Sequence, residues 1–128
     1  MHLPSGFNTV TPYFFVDRAA DFLTFLTQGL GGTELGRQMN GDRIANAQVR
    51  LGTSTVMVSE ASLAFPAMPA SYYLYVESAD AAMAKAIAVG AVQITAVANM
   101  PYGDRQGGVR DQHGNLWWLS QRLVPGPY

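Results

Sequence analysis

The side chains best suited to chemistry fall into three groups. Asn46, Gln48 and Arg50 alternate along one run of residues, 43–51. A guanidinium flanked by two amides can grip a carboxylate, phosphate or enolate oxygen in bidentate fashion. An arginine near a strand end can equally reach solvent or pair with an acid such as Glu60. A second group is aromatic: Tyr13, Phe15, Tyr73, Tyr75 and Trp118, with Ser71 beside them. Such rings stack on planar or cationic molecules, each contact contributing roughly 0.5–2 kcal/mol. The third group is Asp104, Arg105, Asp111 and His113. An Asp–His pair can move protons, but Asp and Gly at these spacings are explained more simply as turn formers. No serine has His and Asp partners at a readable spacing. Neither Gly31-Gly32 nor Gly107-Gly108 leads into the Lys and helix start of a phosphate loop.

These groups need a scaffold. Residues 9–16 read as a strand broken by Pro12, with Asp17 as the N-cap of a helix carrying Ala19, Phe22, Leu23, Leu26 and Leu30 on one stripe. Strands follow at 33–39, 43–51 and 54–59, joined by Asn40-Gly41-Asp42 and Gly52-Thr53. Residues 61–70 form a proline-containing linker. The order then repeats: a strand at 71–77, a helix capped by Ser78, and strands at 92–98, 105–110 and 115–120. The halves align at an offset of 60 residues, Thr11 with Ser71, Tyr13 with Tyr73, Val16 with Val76 and Ala19 with Ala79. This is a βαβββ unit written twice, with modules at about 7–60 and 71–122 of a single 1–128 domain.

Alternation assigns faces. Phe14 and Val16, Ala47 and Val49, Tyr72 and Leu74, and Trp117 and Leu119 make the apolar faces that lie under helices. Tyr13 and Phe15, Asn46, Gln48 and Arg50, Ser71, Tyr73 and Tyr75, and Trp118 make the opposite faces. Bared to water, those rings would form a large apolar patch. Lining a hollow, they suit a small-molecule pocket. A dimer interface or a filled interior would also accommodate them.

Composition narrows the classes further. Of 128 residues, 48% are hydrophobic and 13% charged, for a net charge of −1. That argues against a basic nucleic-acid footprint and against a disordered or coiled-coil chain. The absence of cysteine excludes disulfides, thiolate metal sites and a cysteine nucleophile. No apolar run reaches bilayer length, and the first residues lack a basic-then-apolar leader. A cytoplasmic location is expected, with neither membrane nor nucleic acid as partner.

The stretch 102–118, YGDRQGGVRDQHGNLWW, together with Val10-Thr11-Pro12-Tyr13 and Leu30-Gly31-Gly32, resembles the vicinal oxygen chelate superfamily of glyoxalase I, bleomycin-resistance proteins and extradiol dioxygenases. Gln112 stands where that pattern usually has proline. The resemblance implies an α+β fold of paired βαβββ modules whose curved mixed sheets enclose a cavity, usually in a homodimer. It also implies four metal-ligand positions, here Thr11, Gln48, Ser71 and Trp118. His and carboxylate donors suit a divalent ion at such sites. Two hydroxyls, an amide and an indole do not, so no metal and no other cofactor is expected. The expected function is binding of a small organic ligand, as in drug or antibiotic sequestration. The alternatives are a metal-dependent lyase, isomerase or dioxygenase with a displaced site, and a non-catalytic dimeric scaffold.

Overall fold

The first strand is shorter than its composition suggests. Proline has no N–H to donate to a ladder, so β1 (Tyr13–Val16) begins after Pro12, whose carbonyl still accepts from Met57 at 3.0 Å. Thr11 therefore lies outside the strand. In the computed structural model, which describes residues 1–128, the chain divides into two units, Met1–Pro69 and Ala70–Tyr128.

The first unit contains β1, α1 (Ala19–Thr24), a π-helical turn (Phe25–Gly29), β2 (Thr33–Asn40), β3 (Arg43–Leu51) and β4 (Ser54–Glu60). Its sheet runs β1-β4-β3-β2, with β1 parallel to β4 and the other pairs antiparallel. The second unit contains β5 (Ser71–Tyr75), α2 (Ala79–Ala88), β6 (Val92–Asn99), β7 (Asp104–Arg110) and β8 (Leu116–Arg122). Its sheet, β5-β8-β7-β6, has the same order and the same parallel pair. The duplication legible in the sequence is thus a duplication of topology.

The faces divide as alternation requires. Phe14, Val16, Ala47, Val49 and Val58 are buried with Ala19, Phe22, Leu23 and Leu26, and Phe14 and Phe22 pack ring to ring at 4.9 Å. In the second unit Val109, Trp117 and Leu119 are buried with Ala79, Met83 and Ala86 of α2. Removing these surfaces from water, at roughly 25 cal/mol per Å² of apolar area, supplies each unit's main driving force.

The start of α1 differs from the sequence expectation. Asp17 does not cap it. Arg18 takes the cap position in a left-handed conformation, φ 52°, and Glu60 at the end of β4 accepts from the backbone N–H of Arg18 at 2.9 Å and of Ala19 at 3.0 Å. The parallel register places Glu60 beside Val16, within reach of those orphan amides. The second unit uses Gln121 in the same way, its Oε1 accepting from Ala79 at 3.1 Å, with Ser78 as side-chain cap. Glu60→Ala is expected to cost about 1–2 kcal/mol, the usual range for a lost cap. Urea unfolding followed by far-UV circular dichroism checks this, and an unchanged midpoint would remove Glu60 from the role.

The predicted single helix to Leu30 also resolves differently. After Thr24 the chain widens into the π turn, with Leu30 donating to the carbonyl of Phe25 at 3.1 Å. The extra residue keeps Phe25 and Leu26 both buried. No helix is long and apolar enough to cross a membrane.

Candidate functional site

In the first unit β1, β3 and β4 bring Tyr13, Phe15, Asn46, Gln48, Met57 and Ser59 onto the face away from α1. The Tyr13 hydroxyl and Ser59 Oγ share a 2.7 Å hydrogen bond, and Asn46 Nδ2 donates to the Tyr13 hydroxyl at 3.3 Å. Gln48 Nε2 donates to Gln38 at 2.9 Å and to the Asn46 side-chain oxygen. Phe15 is sandwiched, stacking on Tyr13 at 4.7 Å and on Phe65 of the linker at 5.6 Å. Arg50 stands apart from this network. It is exposed, its Nε donates to the Gly52 carbonyl at 3.2 Å, and its guanidinium lies beside Gly6. The linker also borders an open depression of about 860 Å³ lined by Asp17, Arg43 and residues 61–64, 66 and 67.

In the second unit Ser71, Tyr73, Tyr75 and Trp118 share the corresponding face. Trp118 lies flat because its strand neighbour is Gly108, where any Cβ would stand 2.8 Å from the indole ring. Its Nε1 donates to Ser71 Oγ at 2.8 Å.

Deeper on this face is a cluster that the sequence reading did not assemble. Asp104 is fully buried. Its Oδ2 accepts from the hydroxyls of Tyr73 at 2.6 Å and Tyr128 at 2.7 Å, and its Oδ1 from Arg122 at 2.9 Å. The Tyr75 and Tyr128 hydroxyls are 2.6 Å apart. The Arg122 guanidinium lies 4.2 Å from the centre of the Tyr128 ring and donates to the carbonyls of Tyr102, Gly126 and Pro127. Next to it Tyr102 donates to Gln106, and Gln106 to Ser120 at 2.7 Å. Tyr73, Tyr75, Tyr102 and Tyr128 line a recess of about 360 Å³, within the usual range for small-molecule sites.

One signal for this cluster was available. Pairing in the β7–β8 hairpin is symmetric about His113, so Arg110 faces Leu116 and Asp104 faces Arg122. Counting outward from the turn finds the ion pair. Nothing comparable marks Tyr128, which arrives by an irregular segment.

The electrostatics follow from these contacts. Burial works to raise the Asp104 pKa. The hydrogen bonds from Tyr73, Tyr128 and Arg122, with the guanidinium charge, outweigh it and hold the carboxyl below its ordinary 3.8. Tyr128 is pushed far above the usual phenol range, first by its bond to Tyr75, then by burial and Asp104. Tyr73 is raised by burial and then by its bond to Asp104. A depressed carboxyl contributes stability that is complete above its unfolded value and lost as pH falls through the folded one. The stability gap between the wild type and Asp104→Asn should therefore narrow from pH 6 to pH 3. Urea midpoints at the two pH values read it directly, and a constant gap would mean that Asp104 carries no such linkage.

Asp111 and His113 do not form an acid/base dyad in this turn. Asp111 is buried and accepts from the His113 backbone N–H at 2.8 Å, from Asn115 N at 3.0 Å and Nδ2 at 3.1 Å, and from the Trp117 indole at 2.9 Å. These bonds organise the turn.

The donor chemistry does not fit a divalent ion at the four positions where the resemblance places metal ligands. The Trp118 indole has no lone pair to give, and its N–H is committed to Ser71. The Gln48 N–H₂ is engaged with Gln38 and Asn46, and its carbonyl is a single neutral oxygen where His or carboxylate donors are needed. No three His, Cys, Asp or Glu side chains converge anywhere in the chain.

Twin βαβββ units of identical strand order, each turning a ring-bearing face away from its helix, define an α+β protein of paired-module type. No protein-family model matches the sequence. It is 29% identical over 124 residues to the uncharacterized protein Mb0911c of Mycobacterium bovis, covering 88% of this chain and 82% of that one. Among solved structures it is similar to TioX from Micromonospora sp. ML1, with a TM-score of 0.74, 21% identity, and coverage of 94% of this chain and 100% of the other. TnmS3, an antibiotic binding protein from Streptomyces sp. CB03234, gives 0.69 and 20%, covering 94% and 99%. A glyoxalase/bleomycin resistance protein/dioxygenase family enzyme from Burkholderia phytofirmans PsJN gives 0.71 and 18%, covering 88% and 97%. The fold is that of the glyoxalase/bleomycin resistance/dioxygenase superfamily.

Proposed function

We propose that this chain binds a small aromatic organic molecule on its ring-bearing sheet faces, without a metal, and works in sequestration rather than turnover. The observation that carries the reading is the tyrosine-lined recess of the second unit. Apolar walls with a few fixed polar groups are the usual make-up of a ligand site. The similarity to an antibiotic binding protein supports the same reading. Taking each unit by itself, the contacts we assign are Tyr13, Phe15, Asn46 and Gln48 on the face of the first, and Ser71, Tyr73, Tyr75 and Trp118 on the face of the second. Arg50 joins them where the ligand carries an anionic group, since its only side-chain bond to protein is one to a carbonyl. We further propose a cytoplasmic homodimer. The outer strands β2 and β6 leave Leu35, Met39 and Val92 at least half exposed, the kind of surface that a second copy covers.

The test is a thermal-shift screen of planar aromatic compounds, with native mass spectrometry of the hits and elemental analysis of the purified protein. A ligand that binds the folded state raises the melting temperature by mass action. The expected result is one or more hits on metal-free protein, with the mass of two chains. A stoichiometric metal on which binding or turnover depends, or a library without a single hit, would overturn the reading.

A further inference from the structure

The tyrosine recess indicates more than aromatic character. Asp104 is a buried carboxylate whose charge is already matched by Arg122 at 2.9 Å. An incoming cation would meet that guanidinium, which lies against the Tyr128 ring at 4.2 Å. The box of Tyr73, Tyr75 and Tyr102 therefore disfavours ammonium groups despite its three phenol rings. A neutral ring that stacks on the guanidinium and donates an O–H to the carboxylate matches every group present. Tyr128 does both: its ring lies against Arg122 and its hydroxyl sits 2.7 Å from Asp104 Oδ2. Its hydroxyl also meets that of Tyr75 at 2.6 Å, and its ring stands edge-on to Tyr102 at 6.4 Å. Tyr128 arrives on an exposed, irregular segment, residues 123–128, held by the Leu123 N–H bond to the Gly103 carbonyl at 2.9 Å and by the Arg122 bonds to Gly126 and Pro127. No strand ladder or helix anchors it and the residue is largely exposed, so displacing it exchanges side-chain and Arg122 contacts without opening a ladder.

We propose that the box of Tyr73, Tyr75 and Tyr102 over Asp104 and Arg122 is a site for a neutral hydroxylated aromatic ring, and that Tyr128 is its resident occupant, displaced when such a ring binds. This rests on the ligand-binding reading above and names the ligand class. The hydroxyl bond selects phenols over their ethers, because an O-methyl ether leaves the buried carboxylate facing a group that cannot donate. The occupant lowers apparent affinity for any ring from outside by the fraction of time it fills the site.

The test titrates isotope-labelled full-length protein with 2-naphthol, 2-methoxynaphthalene and the trimethylammonium analogue of the same ring, followed by nuclear magnetic resonance. With 2-naphthol, the Arg122 Nε–H signal and the backbone signals of residues 123–128 should shift together. Tyr128→Ala should bind 2-naphthol at least tenfold more tightly than the wild type. The methyl ether should bind at least tenfold more weakly than the naphthol to both. Should Tyr128→Ala fail to fold, Tyr128→Phe keeps the ring and loses the hydroxyl, and it should tighten binding about threefold. Equal affinity for naphthol and ether, preference for the cation, or no tightening in a folded Tyr128 variant would each overturn the proposal. If those results came with library ligands binding elsewhere on the chain, the broader reading would stand and this one alone would fall.

Discussion

Asp111→Ala is expected to lower the unfolding free energy of the second unit by about 3 kcal/mol, through groups left unpaired rather than through lost packing. The Asp111 side chain is only 4% exposed and Trp117 only 2%. Its two oxygens take the backbone N–H groups of His113 and Asn115, the Asn115 amide and the Trp117 indole. Alanine leaves four donors in a site that water reaches poorly. Each buried unsatisfied donor costs roughly 1–3 kcal/mol, but they share one turn and relax together, so the sum is not additive. The damage has a route outward. Asn115 Oδ1 also accepts from Ala70 at 3.0 Å, which sets the chain's entry into β5. Asp111→Asn keeps an acceptor but turns an N–H₂ toward other donors, and should fall between. Both tryptophans of the chain lie in β8, so their fluorescence in a urea titration reports this unit alone. A loss under about 0.5 kcal/mol, the scale of an ordinary surface change, would show that the turn stands without its carboxylate.

The same residue shows what could be read from the chain and what could not. Asp111 was legible as turn chemistry, because the spacing Asp-Gln-His-Gly-Asn is a local pattern and its bonds are mostly local. The strands were legible for a similar reason. Alternation of Ala47 and Val49 against Asn46 and Gln48, or of Tyr72 and Leu74 against Tyr73 and Tyr75, states which face each side chain takes. The helix cap was not legible. Glu60 lies some forty residues beyond α1 and reaches it only through the parallel β1–β4 register. A lone Asp before an apolar stripe is a stronger local signal, and it pointed to the wrong residue. The π turn was hidden as well, since Leu30 fits the helical stripe whether or not an extra residue intervenes. Among site residues, the two faces followed from period alone, whereas the Asp104–Arg122 pair needed the hairpin register. Tyr128 depends on the path of an irregular segment, for which no periodicity exists.

The paired glycines of β7 allow an experiment that separates framework from site. Adjacent residues of a strand point to opposite faces, so Gly107-Gly108 leaves a flat spot on each. At Gly107 a Cβ would lie 2.6 Å from Met83 Cε, 2.7 Å from Val97 Cγ2 and 3.3 Å from the Thr95 carbonyl. The Met83 end can swing away, but Val97 and the backbone carbonyl cannot. Gly107→Val should therefore push α2 off the sheet and cost about 3 kcal/mol, the upper part of the overpacking range. At Gly108 the Cβ would meet the six-membered ring of Trp118 at 2.8 and 3.0 Å and Ile94 at 3.1 Å. Gly108→Val should tilt the indole from its bond to Ser71 and shift tryptophan emission, at a smaller cost of about 1–2 kcal/mol, since that face has no helix to displace. Hydrogen exchange in α2 reports the first substitution, and Trp118 emission with ligand affinity the second. If Gly107→Val disturbed Trp118 and Gly108→Val loosened α2, the assignment of the two faces would be reversed. The separation of a helix-bearing framework from a ring-bearing binding face, on which the proposed function depends, would then be lost.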